Sequence, residues 1–132
     1  MLQRDYVLEI IGQFVEGVSR ALRRAAAGEK DGLVETEREI GELLELDHAT
    51  ALALAPDSLV TMMVLSGMGD SVAAYVCYAL ERLSRLYEAA GDEDLVGLRS
   101  LQAKAVAESF GCDPSTPPAE LAALDRELFT DC

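Results

Sequence analysis

The chain has 132 residues, of which 50% are hydrophobic and 27% charged, and this is the size and composition of one globular domain. Its 24 acidic and 11 basic residues give a formal net charge of −13, which repels nucleic-acid phosphates and anionic lipid surfaces. We therefore expect neither a nucleic-acid partner nor a membrane partner.

The sequence suggests a cytoplasmic protein without a bound cofactor or metal ion. The first residues lack a basic start followed by a clean apolar run, and Pro56 interrupts the most apolar stretch, 49–68. The cysteines are odd in number and have no Cys-x-x-Cys or zinc-ligand spacing: Cys77, Cys112 and Cys132. We expect all three to be free thiols in a reducing compartment.

Six helices are predicted from apolar residues that recur at steps of three and four. The first spans 2–27 and ends at Gly28, which favours a left-handed cap. Its apolar stripe consists of Val7, Ile11, Phe14, Val18, Leu22 and Ala25. The second spans 31–46, and Asp31 is suited to cap its amino end. Its inward residues are Leu33, Ile40, Leu43 and Leu44.

The middle of the chain contains a short and a long predicted helix. Residues 49–54 form a helical turn or a linker, and the third helix spans 58–65 before Gly67. The fourth helix spans 71–90, with Ser71 as its cap, and has the widest apolar stripe. That stripe consists of Val72, Tyr75, Val76, Ala79, Leu80, Leu83, Leu86, Tyr87 and Ala90.

The last two predicted helices span 93–110, opened by Asp92, and 119–129, capped by Thr116. The inward residues of the fifth helix are Leu95, Leu98, Leu101, Ala105 and Val106, and those of the sixth are Leu121, Leu124 and Leu128. Short connectors favour antiparallel neighbours. The sequence therefore predicts an all-α domain of stacked helical hairpins over 1–110, followed by a connector and a C-terminal helix over 111–132.

The fourth and fifth predicted helices resemble a tetratricopeptide-repeat (TPR) hairpin. Residues at the spacing of the motif's first helix and turn are Leu80, Leu83, Ser84, Tyr87, Gly91 and Asp92, while Val96 and Ala103 match small or aliphatic positions of its second helix. The chain departs from the motif because Leu80 stands at the tryptophan position and Ser100 at an aromatic one. The resemblance implies that these helices stack as in a TPR array.

Residues 3–110 also resemble an uncharacterised bacterial family of short TPR-like helical proteins. The resemblance depends on three segments: Gln3-Arg4-Asp5-Tyr6, Leu43-Leu44-Glu45-Leu46-Asp47 and Leu86-Tyr87-Glu88-Ala89-Ala90-Gly91-Asp92. It implies a short helical array with a role in protein interaction, and it implies no activity.

Residues able to carry catalysis are sparse, so we expect no enzymatic activity. His48 is the only histidine and completes one Glu-x-x-His step with Glu45, whereas a di-iron bundle requires two such steps. An acidic run consists of Glu35, Glu39, Glu42 and Glu45. These carboxylates could perform acid–base chemistry only if buried, and a solvated helix face is the simpler interpretation. Cys77 is interpreted as a buried structural thiol.

Five candidate interaction residues lie in the first and third helices. Arg20, Arg23 and Arg24 cluster near the end of the first helix. They could hold an acidic group, or they could simply favour the negative carboxyl end of their own helix. Met62 and Met63 belong to a helix that is apolar nearly all round, so they face either the core or a second subunit.

Tyr75 and Tyr78 are the remaining candidates, and we interpret them as core or groove-lining residues and not as catalytic ones. Tyr78 lies partly off the stripe, where an exposed tyrosine would suit peptide recognition. The leading hypothesis is an interaction module that binds a peptide or protein in a groove of the helical array. The alternative is a homodimer formed through the third helix and the C-terminal helix. A small-molecule or metal-binding protein is the third hypothesis.

Overall fold

The structure is a computed structural model that describes residues 4–129, and within them it contains seven α-helices and no strand. The helices are α1 Arg4–Ala26, α2 Lys30–Leu44, α3 His48–Ala51, α4 Pro56–Ser66, α5 Gly69–Ala90, α6 Glu93–Phe110 and α7 Ala122–Phe129. A 3-10 turn, Ala119–Leu121, precedes α7, and we call residues 119–129 the C-terminal segment. The all-helical prediction is confirmed. Residues 2–3 of the first predicted helix and Cys132 lie outside the described residues.

Tight turns make two antiparallel hairpins, α1 with α2 and α5 with α6. Gly28 and Gly91 end the first helix of each hairpin in the left-handed region, with φ of 93° and 82°, which glycine adopts without steric cost. The Asp92 side chain caps α6 by accepting a hydrogen bond of 3.2 Å from the Leu95 amide, as the sequence predicted. Only a few residues join the helices of each pair, so they lie side by side.

Several predicted helix starts are wrong by a few residues. Helix α2 begins at Lys30 without a side-chain cap, so Asp31 lies in its first turn. Helix α5 begins at Gly69, ahead of the expected cap Ser71. The Thr116 hydroxyl donates to Asp113 at 2.9 Å in the connector instead of capping the last helix.

Helix α5 occupies the centre of the molecule. It packs on its hairpin partner α6 and on both α1 and α2, while α4 lies against α6 and α5. The predicted stripe of α5 is buried except at its margins, where Tyr75 and Leu86 are half-buried and Ala90 is exposed. The core includes Phe14, Val18, Leu22, Ile40, Leu44, Val76, Leu80 and Leu83.

The inward face of α6 differs from the predicted one. Leu101, expected in the core, is 57% exposed, while Arg99 and Gln102 are buried beside Ala103 and Val106. Arg99 and Gln102 both form hydrogen bonds to backbone carbonyls that follow α3. These bonds place a polar side of α6 inside and turn Leu101 to the opposite side, because a buried polar group must find a partner.

None of the helices in residues 4–129 combines the length and the apolar character that a bilayer crossing requires.

Candidate functional site

One side of α5 carries two tyrosines and an arginine that share a face. Tyr75, Tyr78 and Arg82 are spaced by three and four residues, so their side chains project the same way from the helix. Tyr78 and Arg82 are buried and Tyr75 is half-buried. The ring of Phe14 from α1 meets the Tyr75 ring edge-on, with centroids 6.2 Å apart. Together α1 and α5 form what we call the α1–α5 face.

The C-terminal segment covers the α1–α5 face. The Tyr75 hydroxyl donates a hydrogen bond of 2.7 Å to Glu120, and the Tyr78 hydroxyl donates one of 3.0 Å to Asp125. The Nε of Arg82 donates to the same Asp125 oxygen at 2.6 Å. The segment also buries two leucines, Leu121 and Leu124. The C-terminal helix therefore docks on its own chain, which the sequence had left undecided.

Arg82 is the most enclosed charge of this site, with its side chain only 2% exposed. Besides its bond to α7, its guanidinium contacts Glu81 and donates a bond of 3.3 Å to the carbonyl of Pro114. The group lies 4.5 Å from the Tyr78 ring centroid and 5.5 Å from that of Phe129. Cation–π contact on two rings holds the guanidinium in one orientation.

The protonation of the site favours a carboxylate on the α7 side and donors on the α5 side. Burial opposes ionisation of Asp125, but hydrogen bonds from Arg82 and Tyr78 outweigh it and hold its pKa below the usual value. Burial and the bond to Asp125 raise the pKa of Tyr78. Burial and the bond to Glu120 raise the pKa of Tyr75 to about 12. Both phenols therefore stay protonated at neutral pH and act as donors.

Sequence reasoning missed Arg82, and for Tyr78 it offered a core or groove-lining position beside an exposed one. Tyr78 is 0% exposed, which fits the core interpretation, because α7 lies over it. The spacing from Tyr75 through Tyr78 to Arg82 was available as a signal. A single arginine beside the apolar stripe gives no hint of burial, however, until its partner 43 residues away is known.

The three candidate arginines are paired with carboxylates of the same chain. Arg23 pairs with Glu127 of α7 and so extends the α1–α5 face. Arg24 pairs with three acids of the α1–α2 hairpin: Glu29, Asp31 and Glu35. Arg20 is exposed and lies 3.7 Å from Glu16, a turn earlier on α1. Arg20 and Arg24 also line an open groove of about 400 Å³ between α1 and α2, together with acidic residues.

The acidic run and the single histidine do not form a cluster with the geometry of a metal site. Burial, followed by repulsion from Glu42, raises the pKa of Glu39, which is half-buried. Glu35 pairs with Arg24, and Glu45 accepts a hydrogen bond from Tyr6. His48 is the first residue of α3. No group of three metal-ligating side chains converges within residues 4–129.

The two methionine candidates face opposite ways on α4. Met63 is 0% exposed and joins the core, whereas Met62 is 36% exposed. Two further apolar side chains of α4 are open to solvent, Val64 at 61% and Leu65 at 75%. The helix is therefore partly core and partly an uncovered apolar surface within the described chain.

A second buried polar network joins α2, α5, α6 and the backbone that follows α3, and it was not predicted. Glu37 accepts bonds of 2.7 Å from Tyr87 and from an Arg99 nitrogen, and a second Arg99 nitrogen donates to it at 3.1 Å. Arg99 also donates to the carbonyl of Leu52 at 2.7 Å and to Gln102 at 2.9 Å. Among the described residues no buried side-chain nitrogen or oxygen lacks a partner. We therefore interpret the network as structural, because its buried polar atoms are already hydrogen-bonded within the protein.

The thiols of Cys77 and Cys112 are free, as predicted. Cys77 is 0% exposed, lies 3.5 Å from the Ala103 carbonyl, and burial raises its pKa to about 12. A thiol held protonated in this way is a poor nucleophile.

No protein-family model, no curated protein and no solved structure matches this chain.

Proposed function

We propose that this protein is a helical interaction module that binds a helical segment of a partner protein on the α1–α5 face. The observation that carries the proposal is the docked C-terminal segment, which lies against α1, buries Leu121 and Leu124, and is bound to α5 by the contacts of Asp125 with Tyr78 and Arg82. A surface that accepts one short amphipathic helix has the shape and chemistry to accept another. The proposal assigns no reaction to the chain.

The TPR-like arrangement belongs to this proposal. Two antiparallel hairpins lie side by side, and the first helix of the second hairpin, α5, contacts both helices of the first. The insertion of α3 and α4 between the hairpins departs from a simple repeat. In this scheme α1 and α5 are the first helices of the two units, and together they provide the binding face in a cytoplasmic setting.

Site-specific photo-crosslinking in native lysate tests the proposal. A photoreactive amino acid at Ala74, which is exposed on α5 beside Tyr75, should capture a discrete partner. The same group at Ser100, exposed on α6, serves as the matched control. Absence of a product specific to position 74, or equal capture at both positions, would contradict the proposal.

Self-association through α4 is a second candidate, favoured by the exposed side chains of Val64 and Leu65. In that case light scattering should detect a dimer, and Leu65→Lys should dissociate it. A wild-type chain that stays monomeric at high concentration excludes this candidate.

A further inference from the structure

The side chains by which the C-terminal segment docks form a compact pattern. Leu121, Leu124 and Asp125 are related by three and four residues, so they lie on one side of the segment. The two leucines are 0% and 5% exposed. Leu128 and Phe129 extend the same side by one turn and are partly buried. The docking pattern is therefore Leu-x-x-Leu-Asp followed by a second apolar pair.

Arg82 pairs with two carboxylates, Glu81 beside it on α5 and Asp125 of this pattern, so the docked helix supplies one of its two counter-charges. Its guanidinium is 2% exposed and donates to Asp125 at 2.6 Å, and Tyr78 donates to the same oxygen. A buried arginine that loses one of its carboxylate partners loses part of the pairing that offsets its desolvation. A helix with leucines at the right spacing but an amide or an alanine in place of Asp125 would leave Arg82 with Glu81 alone and should bind more weakly.

The margins of the face favour further acidic residues. The half-buried Tyr75 hydroxyl bonds Glu120, and the exposed Arg23 pairs with Glu127. Both contacts lie nearer to solvent than the Arg82 pair, so each adds less to affinity. The face thus presents a buried positive anchor with a donor on each side, which is complementary to an acidic helix.

The attachment of the C-terminal segment is suited to exchange. Helix α7 has eight residues within the described part of the chain, and a connector with three prolines, Pro114, Pro117 and Pro118, precedes it. A helix this short is not stable on its own, and its tether holds it near the face at high effective concentration. A partner helix must therefore compete with a tethered copy of the motif. The partner's apparent affinity is then its intrinsic affinity multiplied by the fraction of molecules in which the face is uncovered.

We propose that the α1–α5 face recognises acidic partner helices of the form Leu-x-x-Leu-Asp. Arg82 is the group that binds the aspartate. The chain's own C-terminal segment is the competing ligand, and it covers the face until a partner displaces it. This inference rests on the proposed function and specifies the chemistry of the partner and the means of its regulation.

The test uses the full-length protein and a fluorescent peptide that copies residues 116–129, with binding followed by anisotropy. Asp125→Asn in the protein weakens the covering segment and leaves Arg82 available, so this variant should bind the peptide at least about 10-fold more tightly than the wild type. Glu108→Gln is the matched control, because Glu108 is an exposed carboxylate of α6 without a side-chain bond among the described residues. Its affinity should equal that of the wild type.

A second peptide, which itself carries Asp125→Asn, tests whether binding depends on the charge of the aspartate. It should bind the Asp125→Asn protein at least about 10-fold more weakly than the native peptide, the scale of a lost charged hydrogen bond. Should the Asp125→Asn protein fold poorly, Glu127→Lys offers a milder release, since it breaks only the exposed pair with Arg23. It should also increase affinity for the native peptide.

Three results would overturn the inference: equal binding of the native peptide by both released variants and the wild type, equal binding of the two peptides, or a wild-type dimer that Asp125→Asn dissociates. The last result would mean that the face binds the C-terminal segment of a second copy.

If crosslinking at Ala74 captures a partner that has no such helix, the inference fails while the proposed function stands. If the peptide binds as expected but nothing is captured at Ala74, recognition of the motif holds and the function as an adaptor for other proteins fails.

Discussion

The guanidinium of Arg99 joins three parts of the molecule by hydrogen bonds to Glu37 on α2, to Gln102 on its own helix and to the carbonyl of Leu52 after α3. Arg82 does the same for α5, α7 and the connector. Both arginines are almost fully buried, at 5% and 2% exposure. A buried charge with several fixed partners favours one arrangement of the helices, because another arrangement would remove partners that offset its desolvation.

Replacing the carboxylate of Glu37 by an amide tests this role at Arg99. Glu37→Gln keeps the size of the side chain and an acceptor for Tyr87, but it leaves the Arg99 guanidinium buried without a counter-charge. We expect a loss of about 3 kcal/mol in the free energy of unfolding, the scale of a broken buried pair. Chemical denaturation measures it. Glu42→Gln, an exposed acid of the same helix, should change stability by less than about 0.5 kcal/mol, and similar losses in both variants would contradict the argument.

At the scale of helices, the sequence predicted which segments are helical better than it predicted which side of each helix faces the core. The α1 stripe is buried from Ile11 to Ala25 and half-buried at Val7, because most of the opposite side is polar and only one side could face the core. Helix α6 carries apolar residues on several sides, and its periodicity could not distinguish Leu101, which is exposed, from Val106, which is buried. Its orientation is set instead by bonds from Arg99 and Gln102 to carbonyls about 50 residues earlier, which local periodicity cannot reveal.

Close approach of α1 and α2 at Gly32 gives a prediction at this scale. A Cβ at Gly32 would overlap the backbone of Ala25 and Ala21 on α1, and backbone cannot yield as a flexible side chain can. We expect Gly32→Ala to lower the free energy of unfolding by about 2 kcal/mol, even though alanine is the better helix former. Thermal or urea denaturation measures the change.

Gly97 on α6 provides the matched control for that substitution. A Cβ there meets no atom within 4 Å, so Gly97→Ala should raise stability by up to about 1 kcal/mol through helix propensity alone. If both substitutions stabilise the protein, the two helices of the first hairpin are not in tight contact at Gly32.

For the whole molecule, local patterns predicted the two hairpins but not how the C-terminal segment closes on them. The hairpins follow from turns of a few residues, at Gly28 and at Gly91, whose signals lie within the turns themselves. The contacts of Asp125 with Tyr78 and Arg82 join residues 47 and 43 positions apart. The position of the C-terminal segment therefore required the folded arrangement to be known.

The net charge of −13 gives a prediction that belongs to the chain as a whole. Folding brings like charges together, and one sign of this is the raised pKa of Glu39, to which burial contributes most and repulsion from Glu42 and Glu35 adds. Salt screens such repulsion over about 10 Å at 0.1 M, while buried pairs such as Arg82 with Asp125 are screened less. Raising NaCl from about 10 to 300 mM at pH 7 should therefore increase Tm by roughly 3–6 °C, equivalent to about 1 kcal/mol for a domain of this size.

Near the sequence pI of 4.3 the same salt titration should have little effect on Tm, because the net charge is then close to zero. A Tm that falls with salt at pH 7 would mean that exposed ion pairs, such as Arg23 with Glu127, outweigh the repulsion.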